Sequence, residues 1–245
     1  MGGVIRVGVS GAAGQMGLLT CEAVAATPDL ELSARFAPGH GFDDAGMLAG
    51  SDVVVEFSRP DAVMGNLRSW RDLQCHVVVG TSGFDQTRLA ELQELWGEAP
   101  GRCLVVPNFS VGAVLMMSLA ERAAPYFTAG EIVELHHDRK ADAPSGTALA
   151  TAARMKPSGQ RASDSREIAP GARGAEVGGV WVHSVRLPGL LARQEVLLGN
   201  PGEVLTITHD TTDRTAFVPG ILLAVRLVGG LQPGVSVGLE GLMGL

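Results

Sequence analysis

Over residues 1–107, short runs dense in Val, Ile and Leu alternate with longer stretches of mixed polarity. The short runs at 5–9, 30–36, 53–57, 76–79 and 103–106 have the length and β-branched content of buried strands. Between them, 15–26, 62–70 and 86–96 repeat apolar positions at helical spacing. Strand and helix in turn, joined by short connections, predict an α/β first domain: a doubly wound, parallel, Rossmann-like sheet with crossover helices.

The texture changes after Pro107. A helical run at 111–123 and a strand at 131–135 lead to a Gly-, Pro- and Ser-rich stretch at 157–179 that reads as a mobile loop. Apolar runs at 180–187, 194–198 and 204–209 follow, separated by the turn signals Pro188-Gly189 and Gly199-Asn200-Pro201-Gly202. They predict a second, α+β domain over 108–215, built on a mixed, largely antiparallel sheet. Helical periodicity returns at 217–228, so 216–245 are expected to complete the first domain.

Composition narrows the function more than the fold. In 245 residues, 46% hydrophobic and 18% charged, there is enough apolar material for two domains, and 33 glycines speak for many tight turns. A net charge of −7 without a clustered Lys/Arg run argues against a nucleic-acid partner. No apolar run approaches the ~20 residues of a membrane span, and the chain enters a strand almost at once, so neither membrane insertion nor export is expected. Cys21, Cys75 and Cys103 are spaced too widely for a metal motif and sit in or beside apolar runs. Reduced thiols, a cytoplasmic location and no bound metal are expected.

The first strand runs into Gly11-Ala12-Ala13-Gly14-Gln15-Met16-Gly17, with glycines three apart where a helix opens. Such a turn lets backbone amides approach a pyrophosphate, and the helix start favours the anion, so this loop is the candidate dinucleotide site. The acid that usually ends the second strand and binds ribose hydroxyls is missing, because that strand ends Ala34-Arg35-Phe36-Ala37-Pro38. Arg35 can meet a 2′-phosphate or simply be solvated, which leaves NADPH or NADH open. Gly80-Thr81-Ser82-Gly83 and Val106-Pro107-Asn108-Phe109-Ser110 lie at the ends of later strands, where ligands of open α/β sheets bind. Both are candidate nicotinamide contacts.

His136-His137-Asp138-Arg139-Lys140 gathers two imidazoles, a guanidinium and an ammonium in an otherwise acidic protein, which suggests an anionic ligand. After Asp142-Ala143-Pro144, Ser145 is placed to cap a helix, so the amides of Gly146 and Thr147 would open that helix and receive a carboxylate. His136 and Lys140, four apart, can share a face in either a strand or a helix. An imidazole exchanges protons near neutral pH and a lysine can donate one, as hydride transfer to an imine requires. Another two-domain nicotinamide dehydrogenase, or a nucleotide sensor without turnover, would explain the glycine loop but not this cluster.

Glu131, Glu134, His136, Lys140, Asp142 and Pro144-Ser145-Gly146-Thr147-Ala148 together resemble the signature of the 4-hydroxy-tetrahydrodipicolinate reductases, also called dihydrodipicolinate reductases. Gly171-Ala172-Arg173-Gly174, Gln194-Glu195-Val196 and the stretch from His209-Asp210 to Asp213-Arg214 have counterparts there too. The resemblance implies NAD(P)H-dependent reduction of a cyclic dicarboxylate in the diaminopimelate route to lysine, with loss of water. It further implies His136 and Lys140 as the acid–base pair, His137, Gly146 and Thr147 as substrate contacts, and a homotetramer assembled through the second domain's sheet. Departures from the family pattern are Ala37 for an acid, Ser82 for Thr, Glu56 for Asp, and a short stretch after Met155.

Overall fold

The structure, a computed structural model, describes residues 3–42, 44–159 and 166–245. In chain order its elements are β1 (Ile5–Ser10), α1 (Gln15–Ala25), β2 (Leu30–Phe36), β3 (Val53–Glu56), α2 (Val63–Asp72), β4 (His76–Val79), α3 (Gln86–Trp96) and β5 (Arg102–Val105). There follow α4 (Val111–Ala123), β6 (Ala129–His136), α5 (Gly146–Arg154), β7 (Ala175–Val177), β8 (Val180–Arg186), β9 (Ala192–Asn200) and β10 (Glu203–Thr211). The chain closes with α6 (Val218–Leu227), β11 (Gly234–Val237) and α7 (Glu240–Met243). It divides into two compact units, one of Met1–Ser110 with Phe217–Leu245 and one of Val111–Ala216.

The first unit holds a six-stranded sheet in the order β11-β5-β4-β3-β1-β2, every pairing parallel. Val53, Val54 and Val55 are essentially inaccessible, the mark of a strand covered on both faces. On one face Trp70 of α2 and Trp96 of α3 fill the core, Trp70 meeting Phe36 edge-on at 5.4 Å. Asp85 caps α3 by accepting from the Arg88 amide at 2.8 Å, and so fixes where that helix leaves the sheet.

The second unit carries the order β10-β9-β6-β8-β7, in which β6 and β8 run parallel and the other pairs antiparallel. Alternation along β6 buries Gly130, Ile132 and Glu134 on the face that α5 covers, while Glu131, Val133 and Leu135 face the other way and stay half-exposed.

Three elements depart from the sequence reading. The stretch at 157–179 ends in strand β7 rather than remaining loop, and its residues 160–165 lie outside the described residues. At the carboxyl end of the chain, β11 adds an edge strand to the first sheet and α7 follows it, both too short for a periodic pattern to announce. Among the described residues no helix is long and apolar enough to cross a membrane, and no group of His, Cys, Asp and Glu is arranged to hold a metal ion.

Candidate active site

Because every strand of the first sheet points the same way, the turns after β1, β3, β4 and β5 gather at one edge. Gly11 sits at φ +77°, and a Cβ there would strike the Phe57 carbonyl. A Cβ on Gly17 would strike the backbone of Gly11, so both glycines are needed to fold the loop onto the start of α1. Beside the loop lies a cavity of about 380 Å³, lined by Ser10, Gly11, Ala13 and Gly14, then Phe36, Ala37, Pro38 and His40, then Phe57, Ser58, Arg59, Ala62 and Asn66. Ser10 Oγ is fully buried there without a hydrogen-bond partner. A glycine cradle and an orphaned hydroxyl fit the pyrophosphate and ribose of a dinucleotide.

Of the residues expected around a cofactor, Gly11, Ala13 and Gly14 line this cavity, whereas Ala12, Gln15 and Met16 do not. Ala12 is buried beneath the loop. Gly80, Thr81 and Ser82 follow β4, and Val106, Pro107, Asn108 and Phe109 follow β5, outside the cavity but at the same sheet edge. Phe57 and Phe109 pack with ring centroids 5.4 Å apart, and a Cβ on Gly80 would hit both rings. Thr81 Oγ1 donates to the Glu56 and Ser58 carbonyls at 3.2 and 3.3 Å. The sequence reading missed Phe57, Ser58, Arg59 and His40; the first three follow directly from the rule that ligands sit beyond strand ends, applied to β3.

In the second unit β6 ends at His136, and a turn, with the Lys140 amide donating to the His137 carbonyl at 3.2 Å, leads to the cis Ala143–Pro144 peptide. Ser145 caps α5 by accepting from the Ala148 amide at 3.2 Å, so Gly146 and Thr147 form the helix's first turn. His136 Nδ1 is hydrogen-bonded to Glu134 Oε2. Glu134, wholly buried, also accepts from Arg186 Nη2 at 2.8 Å, Arg186 Nη1 at 3.0 Å and the Ser145 amide at 3.3 Å. Lys140 Nζ pairs with both Asp142 oxygens at 2.7 and 2.9 Å. His137 Nδ1 is buried without a partner. His136, His137, Lys140 and the Ser145–Thr147 helix start therefore lie within one strand end, turn and helix start.

Burial pushes the His136 imidazole down; Glu134 pulls it up, but Lys140 and Arg186 add to the depression and the net direction is downward. Neutral imidazole is the form held near pH 7. Burial pushes Glu134 up, yet hydrogen bonds from Arg186, Ser184 and His136 outweigh it and hold the carboxyl below its usual range.

These directions set an expected pH profile for stability. His76, His136 and His209 titrate low in the fold, chiefly through burial, so unfolded chains bind more protons below about pH 6.5 and stability falls with pH there. Depressed carboxyls such as Glu134 and Glu131 add stability that is present above about pH 4.3 and lost as pH drops through their folded values. Burial pushes the Cys75 thiol up to about 11 and Cys103 up as well, so stability declines again above about pH 8.5, where only unfolded thiols ionise. Thermal unfolding across pH 4–10 should show a plateau between about pH 6.5 and 8.5; a maximum near pH 5 would contradict these assignments.

Residues 5–109 match the family described as "Dihydrodipicolinate reductase, N-terminus" and residues 112–243 the one described as "Dihydrodipicolinate reductase, C-terminus". The 4-hydroxy-tetrahydrodipicolinate reductase of Cutibacterium acnes is 50% identical over 250 residues, covering 99% of this chain and 100% of the relative. That of Mycolicibacterium smegmatis is 50% identical over 252 residues, with 98% and 100% covered. Among solved structures, a dipicolinate-bound dihydrodipicolinate reductase from Paenisporosarcina sp. superimposes with a TM-score of 0.86 at 33% identity, covering 97% of this chain and 99% of that one. A probable dehydrogenase from Thermotoga maritima, at a TM-score of 0.63 and 13% identity, shares the fold alone. The chain belongs to the dihydrodipicolinate reductase family, nicotinamide-dependent oxidoreductases of the diaminopimelate route to lysine.

Proposed function

We propose that this enzyme reduces 4-hydroxy-tetrahydrodipicolinate to tetrahydrodipicolinate, consuming one NADPH and one proton and releasing NADP⁺ and water. The observation that carries the reading is the contiguous site at the end of β6: a neutral imidazole held by a buried carboxylate, a nearby ammonium, and a helix start. The dicarboxylate's anionic groups dock against the first turn of α5 and His137; that the Paenisporosarcina relative is dipicolinate-bound supports a cyclic dicarboxylate as the ligand class. Lys140 donates the proton the reaction takes up, and His136 accepts or returns protons through Nε2 as water leaves. The nicotinamide, when bound at the glycine loop, supplies the hydride.

NADPH is the preferred cofactor. The cavity beside the glycine loop has no carboxylate in its lining, contains His40 and Arg59, and presents Ala37 where an acid would repel a 2′-phosphate. Assembly is a homotetramer through the face of the second sheet opposite α5, where Val133, Leu135, Trp181, Val185 and Leu197 are half-exposed and Val204 is 68% exposed. The test is loss of reduced-nicotinamide absorbance with substrate generated by a coupled synthase. The expected kcat/KM for NADPH exceeds that for NADH by about tenfold or more, the worth of one charge-assisted hydrogen bond. No oxidation of either cofactor overturns the reaction; equal or higher efficiency with NADH overturns the preference alone.

A further inference from the structure

Arg186 lies 50 positions beyond His136, yet the parallel register of β6 and β8 sets the two side by side, with Ser184 beside Glu134. Paired residues of neighbouring strands share a face, so the guanidinium meets the carboxylate beneath the imidazole. One Arg186 fork then spans two partners: both Glu134 oxygens, at 2.8 and 3.0 Å, and the Asp142 carbonyl, at 2.6 Å. Glu134 in turn serves both halves of the site. Its Oε2 meets His136 Nδ1, and its Oε1 accepts from the Ser145 amide that opens α5.

We propose that Glu134, clamped by Arg186, is a positioning residue that fixes His136 as the Nδ1–H tautomer with Nε2 available to substrate, and ties the start of α5 to the same carboxylate. A carboxylate can only accept, so the ring nitrogen facing it must carry the proton. The charged groups facing His136 are Glu134 from β6, Arg186 from β8 and Lys140 from the turn. The role of His136 rests on the reaction proposed above; the tautomer does not.

Glu134→Gln discriminates. Its amide oxygen is drawn to the Oε1 position, where Arg186 Nη2 and the Ser145 amide both donate, over the Oε2 position, where Arg186 Nη1 is the one obligate donor; this leaves the NH₂ facing His136. The amide then donates to Nδ1 and drives the proton to Nε2. Nitrogen-15 NMR of His136 in ligand-free enzyme reads this directly. Wild type is expected to carry its proton on Nδ1 at neutral pH and Glu134→Gln on Nε2, with the imidazole titrating lower once the carboxylate charge is gone. In turnover, kcat falls about 10²-fold, with the KM for NADPH within about twofold of wild type. A wild-type His136 protonated on Nε2 overturns the proposal without any variant. An unchanged tautomer in folded Glu134→Gln, or a loss confined to KM, also overturns it. Failure of the reductase assay with the NMR result intact would instead count against the reaction.

Discussion

His136→Gln is expected to lower kcat by about 10²–10⁴-fold, the range for removing a positioned acid–base group. The imidazole is depressed by burial and held by Glu134, so wild type presents a neutral, oriented ring at neutral pH. Glutamine keeps some of the volume and one donor but cannot cycle a proton. Because the cavity proposed for the dinucleotide is lined by residues of the other compact unit, the KM for NADPH should move little. Combining His136→Gln with Glu134→Gln should cost barely more than His136→Gln alone, since the second change acts through a ring already removed. Steady-state kinetics on the three variants check both points. An unchanged kcat in His136→Gln removes the residue from the chemistry; fully additive losses separate it from Glu134.

Trp70→Ala is expected to cost the most stability of any single change in the first unit. Trp70 is 1% exposed in the core between α2 and the sheet, and its Nε1 donates to the buried Glu56 carboxylate at 2.7 Å. Emptying an indole site in a packed core costs about 3–5 kcal/mol. Losing a hydrogen bond to a buried charge adds about 1.5–3 kcal/mol. Together they approach the whole stability of an ordinary domain, about 5–15 kcal/mol. Trp70→Phe separates the two contributions by keeping most of the ring while removing the donor, for an expected loss of about 2 kcal/mol in urea titration. Equal stability of Trp70→Phe and wild type would refute the polar part. The bond also reaches toward the proposed cofactor site, because Glu56 accepts from the Ser58 amide and from Asn66 Nδ2, and both residues line the cavity beside the glycine loop. The buried Glu56 is thus satisfied by three donors.

The strands of the first sheet were legible because a strand buried on both faces needs no alternation, only a short β-branched run such as Val53-Val54-Val55. β11 was not legible: four residues entered through Gly234 at φ +98° hold too little pattern, and only the open edge of β5 makes them a strand. In the second unit the turn signals located the strands, but nothing local distinguishes the parallel β6–β8 pair from its antiparallel neighbours.

His136, His137, Lys140, Ser145, Gly146 and Thr147 could be named in advance because they lie within twelve consecutive positions, where backbone geometry alone brings them together. The same holds for Gly11, Gly14 and Gly17, whose spacing encodes a turn in which a Cβ at Gly11 or Gly17 would strike backbone. What the folded chain alone decided is which distant groups complete these local pieces. Sheet register brings Arg186 under His136, and parallel strand order brings Phe57, Ser58 and Arg59 to the glycine loop. Such pairings follow from burying a whole sheet face at once, a cooperative balance that no local run of residues records.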